Sequence, residues 1–161
     1  MADDKPKTRD GYIELEFGPR WKYIAVVRSF IQSFMAVSLQ DNTKADHLAM
    51  AASELLENAV KYASGEDIRI SVNVQSGRGG LSVSVSNSAT PGAVEGLRAV
   101  FEKVTKGEPL DAYMTQMREA AVRKDGKSQL GLARIRYETG LGMELKADKN
   151  GVTISLVSKD H

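Results

Sequence analysis

The amino-acid sequence predicts an α+β domain built as a two-layer sandwich, with helices on one face of a mixed, mostly antiparallel sheet. Two pairs of segments alternate apolar and polar residues with period two, as strands with one buried face do. The first pair is residues 68–74 with 81–87, and the second is residues 143–147 with 152–157. Longer segments with apolar residues at helical spacing separate these pairs, and this order is typical of an α+β sandwich.

The remaining elements follow from local patterns along the chain. We expect residues 1–10 to be a disordered tail and residues 11–161 to form a single domain. The alternating residues 12–17 predict a strand that ends at Gly18-Pro19. Helices are predicted over five ranges: 20–38, 45–63, 93–105, 110–123 and 130–139. Apolar residues of the middle helices, including Met114 and Met117, are expected in the core.

Composition excludes several classes of function. The 22 Lys and Arg against 21 Asp and Glu leave no bulk charge that would favour nucleic acid or an anionic membrane as a partner. Cysteine is absent, which excludes disulfides and thiolate zinc sites, and two histidines make a multi-histidine metal site implausible. With a polar start and no long apolar run, the chain is expected to be cytoplasmic and outside the membrane.

The predicted helix at residues 45–63 carries the densest group of candidate functional residues. Its apolar side chains form one arc that we expect in the core: Leu48, Ala52, Leu55, Leu56, Ala59, Val60 and Ala63. Opposite this arc, Glu54, Asn58 and Lys61 lie on one stripe. A carboxylate, an amide and an ammonium so aligned can handle a proton, a metal ion and a phosphate. The spacing alone also fits a solvated face with a stabilising Glu54–Asn58 pair.

The string ELLENAVKY at residues 54–62 resembles the N-box of the GHKL ATPases, which include gyrase, MutL, sensor histidine kinases and bacterial anti-sigma-factor serine kinases. The predicted order of elements is also similar to their Bergerat ATP-binding fold, and the short chain most resembles the anti-sigma-factor kinases. The resemblance implies that ATP and Mg²⁺ are the cofactors. It also implies that Glu54 is the general base, that Asn58 holds the magnesium ion, and that Lys61 approaches the phosphates.

The adenine box of these ATPases has a changed counterpart here. The family reads adenine with an Asp in an Asp-x-Gly-x-Gly box, and the matching place is occupied by Asn87-Ser-Ala89-Thr-Pro91. Asn87 can still accept a hydrogen bond from an adenine amino group, although it is equally a typical strand-ending turn residue. Thr153 stands where the family often has a threonine near adenine, and an ordinary strand residue explains it as well.

The glycine box that follows in these ATPases is retained in its second half. Gly131 and Leu132 should open a helix whose amide groups can bind nucleotide phosphates, as the resemblance implies. The two leading glycines of the family are Lys127 and Gln129 here, which argues against a flexible lid over a triphosphate. Arg134 follows on the same helix and can contact a phosphate or a partner, although a polar helix face is the favoured interpretation.

Three functions remain open at this stage. The first is an ATP-dependent protein serine/threonine kinase that acts on an anti-sigma-antagonist-like protein in bacterial partner switching. The second is a binding module of the same fold that regulates a protein partner without nucleotide turnover. The third is a histidine-kinase-like ATPase fragment. We also expect a homodimer, formed through the first strand and the helix at residues 20–38, because these carry much apolar surface.

Overall fold

A computed structural model describes residues 9–62, 70–77, 80–122, 130–148 and 151–158 of the chain. These ranges contain five strands: β1 (Arg9–Phe17), β2 (Ile70–Gly77), β3 (Gly80–Asn87), β4 (Gly142–Ala147) and β5 (Val152–Val157). They also contain five α-helices: α1 (Ile24–Leu39), α2 (Asn42–Tyr62), α3 (Pro91–Thr105), α4 (Pro109–Val122) and α5 (Leu130–Thr139). A single 3-10 turn, Trp21–Tyr23, leads into α1. No helix in this described part of the chain is both long and apolar enough to cross a bilayer.

The strands form one sheet in the order β1-β2-β3-β5-β4, and every described pair is antiparallel. The central strands β3 and β5 direct Val83, Val85 and Ile154 to a buried face. Helix α2 packs against β3, so this apolar face is the one that the helices cover. The predicted α+β sandwich with helices on one face is therefore confirmed.

The opposite face of the sheet is polar. Ser84 Oγ lies 2.8 Å from Ser155 Oγ, and Ser86 Oγ lies 2.7 Å from Thr153 Oγ1. These hydroxyl pairs occupy the half-buried positions that alternate with the buried apolar residues of β3 and β5. Because successive side chains of a strand point to opposite faces, the same alternation that predicted the strands separates this polar face from the core.

Helices α1 and α2 form a tightly joined pair. Gln40 ends α1 in the left-handed conformation with φ 53°, and Asp41 then caps α2 by accepting a hydrogen bond from the Lys44 amide at 3.0 Å. Ile31 and Met35 of α1 are fully buried. The predicted arc of α2 is buried at five positions: Leu48, Ala52, Leu55, Leu56 and Ala59. Val60 is half-buried, and Ala63 lies outside the described residues.

Two boundaries differ from the prediction at the start of the chain. Strand β1 already begins at Arg9, which pairs with Gly77, so residues 9 and 10 belong to the sheet and not to the tail. The remaining tail positions, 1–8, lie outside the described residues. Helix α2 begins at Asn42, three residues before the predicted start, because Asp41 supplies the cap.

The expectation that Met114 and Met117 lie in the core is wrong. Both side chains are exposed, and α4 buries Ala112 and Gln116 instead. The reason is that α4 packs against α3 and α5 at the edge of the helical layer, with Tyr113 stacked on Tyr137 at 5.3 Å between ring centroids.

Candidate functional site

Glu54 lies on the side of α2 away from its buried arc, and its side chain is half-buried. The first turn of α5 packs directly against it, because a Cβ atom built on Gly131 would overlap Glu54 Oε2. A glycine at position 131 is therefore the residue that leaves room for the carboxylate. Helix α5 covers one side of Glu54 and limits the directions in which its oxygens can point.

Arg134 lies one turn further along α5 and lines a small cavity together with Glu54, Met50 and Glu138. Its Nε donates a hydrogen bond to Glu138 Oε1 at 2.9 Å, and its Nη2 lies 3.2 Å from Met50 Sδ. The guanidinium thus spans the gap between α5 and α2. It provides a fixed positive charge next to the candidate base.

The pKa of Glu54 is raised above its ordinary value of 4.5. Burial is the main cause, because it disfavours the charged form of a carboxyl group. The neighbouring carboxylate of Glu57 raises the pKa further, Arg134 lowers it, and Glu138 adds a smaller increase. A carboxyl group with a raised pKa is a better proton acceptor than an ordinary surface glutamate.

Asn58 and Lys61 continue the stripe on the same helix. Asn58 is half-buried and Lys61 is exposed, so both side chains are accessible on the side of α2 that carries Glu54. The small cavity beside Arg134 includes Glu54 in its lining but neither Asn58 nor Lys61. The structure therefore keeps the three residues on one helix face, with Glu54 alone at this cavity.

Asn87 ends β3 with its side chain on the helix-covered face, where the residue is only 8% exposed. Its Nδ2 donates to the Ser88 carbonyl oxygen at 3.1 Å. Within the described ranges no donor reaches its Oδ1. A buried acceptor without a donor is costly, and a ligand with an amino group would satisfy it.

The structure does not bring Thr153 to Asn87. Asn87 lies opposite Val152 in the β3–β5 pair, and Ser86 lies opposite Thr153. The Thr153 hydroxyl is bonded to Ser86 on the polar face of the sheet. Val152, which is buried, is thus the β5 residue beside Asn87.

Gly131 and Leu132 stand in the first turn of α5. The Leu132 side chain is buried in the core, so only its backbone amide is available to a ligand. Amide groups in the first turn of a helix have no intrahelical acceptor and favour anions. Lys127 and Gln129, which replace the leading glycines of the box, lie outside the described residues.

Comparison with known proteins identifies the family. Residues 17–145 match the family model of the histidine kinase-like ATPase domain. The chain belongs to this family. The predicted relation to the GHKL ATPases is thereby confirmed. The fold is similar to that in the crystal structure of the SiaB-SiaC complex from Pseudomonas aeruginosa, with a TM-score of 0.64 and 19% identity over 89% of this chain and 88% of that one. Among curated proteins there is no match.

A nucleotide fits the residues of this histidine kinase-like ATPase domain. Asn87 Oδ1, which no donor of the described residues reaches, is a suitable acceptor for a base amino group. In the part of the chain that the structure describes, no group of three or more acidic or histidine side chains is arranged to hold a metal ion. Magnesium usually takes one or two protein oxygens and completes its shell with phosphates and water, so Asn58 fits a magnesium ion that arrives with a nucleotide.

Sequence reasoning missed two features of this ATPase site. Val152, and not Thr153, lies beside Asn87, and the alternation of VTISLV predicts this because Val152, Ile154 and Leu156 share the buried face. Arg134 was assigned to a polar helix face, with contact to phosphate or to a partner as the alternative, and its position beside Glu54 was not foreseen. Its spacing of one turn from Gly131 places it on the same side of α5, but no local pattern indicates that Glu54 lies there.

Gly131→Ala should displace the Glu54 carboxylate without unfolding the domain, because a flexible carboxylate can move aside more easily than backbone can. Any phosphoryl transfer by this site should then fall roughly 10–100-fold, while the melting temperature stays equal or rises slightly through the helix propensity of alanine. The matched control is Gly96→Ala in α3, where an added Cβ meets nothing within 4 Å. Loss of activity in the control, or full activity in Gly131→Ala, would contradict this assignment.

Glu54→Gln should stabilise the domain near neutral pH. Because the folded state binds the Glu54 proton more tightly than the unfolded chain, the free energy of unfolding falls as the pH rises from 4.5 through the raised folded pKa. At pH values above the raised folded pKa, Glu54 is ionised in the folded state and this costs stability. The neutral amide of glutamine does not carry that cost. Melting temperatures should therefore increase at about pH 7 and change little at about pH 4.

The control for this measurement is Glu102→Gln, which changes an exposed glutamate of α3. A Glu54→Gln variant that is less stable than the wild type at neutral pH would show that the carboxylate is stabilised by its surroundings.

Proposed function

We propose that the chain is an ATP-dependent protein serine/threonine kinase. Its substrate would be an anti-sigma-antagonist-like protein in a bacterial partner-switching system in the cytoplasm. The observation that carries the proposal is the half-buried Glu54, which α5 holds in place through Gly131 and which Arg134 flanks. A mere solvated helix face would not require a glycine above the carboxylate.

Each site residue has a role in this proposal. When bound, ATP would supply the phosphoryl group and leave as ADP, and its magnesium ion would neutralise charge on the phosphates. Glu54 accepts the proton of the partner's hydroxyl group. Asn58 would coordinate the metal through its amide oxygen, and the Lys61 ammonium would pair with the phosphates. Asn87 Oδ1 accepts a hydrogen bond from the adenine amino group.

The backbone completes the nucleotide site in the proposal. The first-turn amides of α5, at Gly131 and Leu132, have no acceptor within the helix. They can therefore donate hydrogen bonds to phosphate oxygens. The neighbouring fold in the SiaB-SiaC complex was solved together with a protein partner, and this supports a protein as the binding partner of the present chain.

A second candidate is a binding module that no longer turns over nucleotide. Two residues favour it. Asn87 replaces the acidic residue of the family's adenine box, and Ala89, which is buried, places a Cβ where the family has glycine. Such a module would keep Glu54 only as part of the α2–α5 contact.

Glu54→Gln separates the two candidates. The amide keeps the size of the side chain but cannot accept the proton, so phosphate transfer to the purified partner should fall about 10²–10⁴-fold. Binding of ATP and Mg²⁺, measured by isothermal titration, should persist in Glu54→Gln and weaken in Asn58→Ala. Equal transfer by the wild type and Glu54→Gln would remove Glu54 from the mechanism. No transfer by either protein would favour the module.

Asn87→Asp should tighten nucleotide binding. An ionised carboxylate is acceptor-only and forms a stronger hydrogen bond with an amino group than an amide oxygen does. We expect roughly a tenfold lower Kd for ATP, which corresponds to about 1.4 kcal/mol. GTP, which presents a carbonyl at the same position of the base, should not gain. An equal gain for both nucleotides would place Asn87 away from the base.

We propose further that the chain forms a homodimer through α1 and β1. Val26, Phe30 and Val37 are exposed along one stripe of α1. They border an apolar groove of about 700 Å³ that also includes Ile13 of the edge strand β1. A second copy of this face is a suitable occupant, because two such stripes can pack against each other about a two-fold axis.

Phe30→Glu should therefore convert a dimer into a monomer, since it places a charge in the buried centre of the interface. Light scattering of the purified protein measures the mass. Val122→Glu is the control, because it changes an exposed apolar residue on α4 and should leave the dimer intact. A monomeric wild type at high micromolar concentration would overturn this arrangement.

A further inference from the structure

A second concavity lies between α1 and α2. It has a volume of about 440 Å³. Its lining combines one aromatic ring, two hydroxyls and two opposite charges: Trp21, Ile24, Ala25, Arg28, Ser29, Ser53 and Glu57. Trp21 is 60% exposed, which is unusual for the largest apolar side chain. We call this concavity the α1–α2 cleft.

The lining of the α1–α2 cleft carries one positive and one negative side chain, Arg28 and Glu57. Arg20 and Lys22 flank Trp21 in the chain, and the Lys22 ammonium lies 5.2 Å from the centre of the Tyr23 ring. Among the described residues no carboxylate forms an ion pair with any of these three cations. Glu57 is the one acidic residue in the lining. The cleft therefore presents an exposed ring beside the guanidinium of Arg28, which has no carboxylate partner among the described residues and can donate hydrogen bonds to one.

The cleft is continuous with the candidate site. Ser53 and Glu57 directly precede Glu54 and Asn58 on α2, so the cleft wall and the functional stripe are neighbouring faces of one helix. Helix α5 covers the other side of Glu54. A macromolecule that must bring a hydroxyl group to Glu54 therefore has the α1 side of α2 as its open approach.

We infer that the α1–α2 cleft docks an acidic segment of the protein partner. A carboxylate of the segment pairs with Arg28, an apolar side chain packs on Trp21, and the next residues extend over α2 towards Glu54. Docking is independent of phosphoryl transfer, and only the placement of a hydroxyl-bearing residue at Glu54 rests on the proposed function. Arg28 and Trp21 select the segment by charge and by apolar contact.

The single tryptophan of the chain makes the test direct. A synthetic 12-residue peptide of Glu, Leu and Ser is titrated into the protein, and Trp21 emission is recorded. We expect a saturable blue shift, because the peptide removes water from the ring. The same peptide with Gln for every Glu should bind at least tenfold more weakly, since it lacks the charges that meet Arg28.

Variants of the cleft provide the second arm. Arg28→Glu should weaken binding of the acidic peptide at least tenfold, and Arg28→Lys should weaken it less, because lysine keeps the charge but not the bidentate geometry. Arg118→Glu, which reverses the charge of an exposed arginine on α4, should have no effect. Circular dichroism checks that each variant is folded.

The outcomes separate this inference from the proposed function. Glu54→Gln and Asn58→Ala should bind the peptide normally, and Arg28→Glu should bind ATP normally. If the peptide binds but no phosphate is transferred, the docking inference stands and the proposed kinase function is wrong. The inference itself fails if the acidic peptide leaves Trp21 emission unchanged, or if Arg28→Glu binds it as well as the wild type. It also fails if phosphatidylglycerol vesicles or a thymidine 12-mer shift the emission more strongly than the peptide.

Discussion

The close contact between Glu54 and the backbone of Gly131 is the constraint on which the candidate site depends. The buried arc of α2, which includes Leu55 and Ala59, packs into the core and fixes the position of the helix. On another side of α2, the first turn of α5 covers the Glu54 carboxylate. The orientation of Glu54 is therefore determined by two elements together. Arg134 adds a fixed charge from α5, and burial raises the pKa of the carboxyl group.

Much of this architecture is readable from sequence periodicity. The apolar arc of α2 requires the opposite stripe to face away from the core, so the common face of Glu54 and Asn58 could be predicted. The alternation in β3 predicts that Asn87 shares the buried face with Val85. The alternation in β5 indicates that Thr153 points away from that face, and the resemblance to the family led to a different interpretation.

The features that could not be predicted depend on tertiary packing. Arg134 is distant from Glu54 in the chain, and the two meet only because α5 packs against α2. Met114 and Met117 have the composition of core residues but lie on the outer side of α4. Among the described residues no donor reaches Asn87 Oδ1, and this too depends on the fold. Asn87, one of the changed residues of the adenine box, therefore keeps an acceptor that a ligand can use.

A titration of Glu54 by NMR, with a carbon label in the glutamate carboxyl groups, tests the central constraint most directly. If α5 holds the carboxylate in its half-buried position, the pKa of Glu54 lies above 4.5 in the wild type. It then moves back towards that value in Gly131→Ala, where the added Cβ drives the carboxylate into solvent. A wild-type Glu54 that titrates at its ordinary value, or a raised pKa that Gly131→Ala leaves unchanged, would contradict the account.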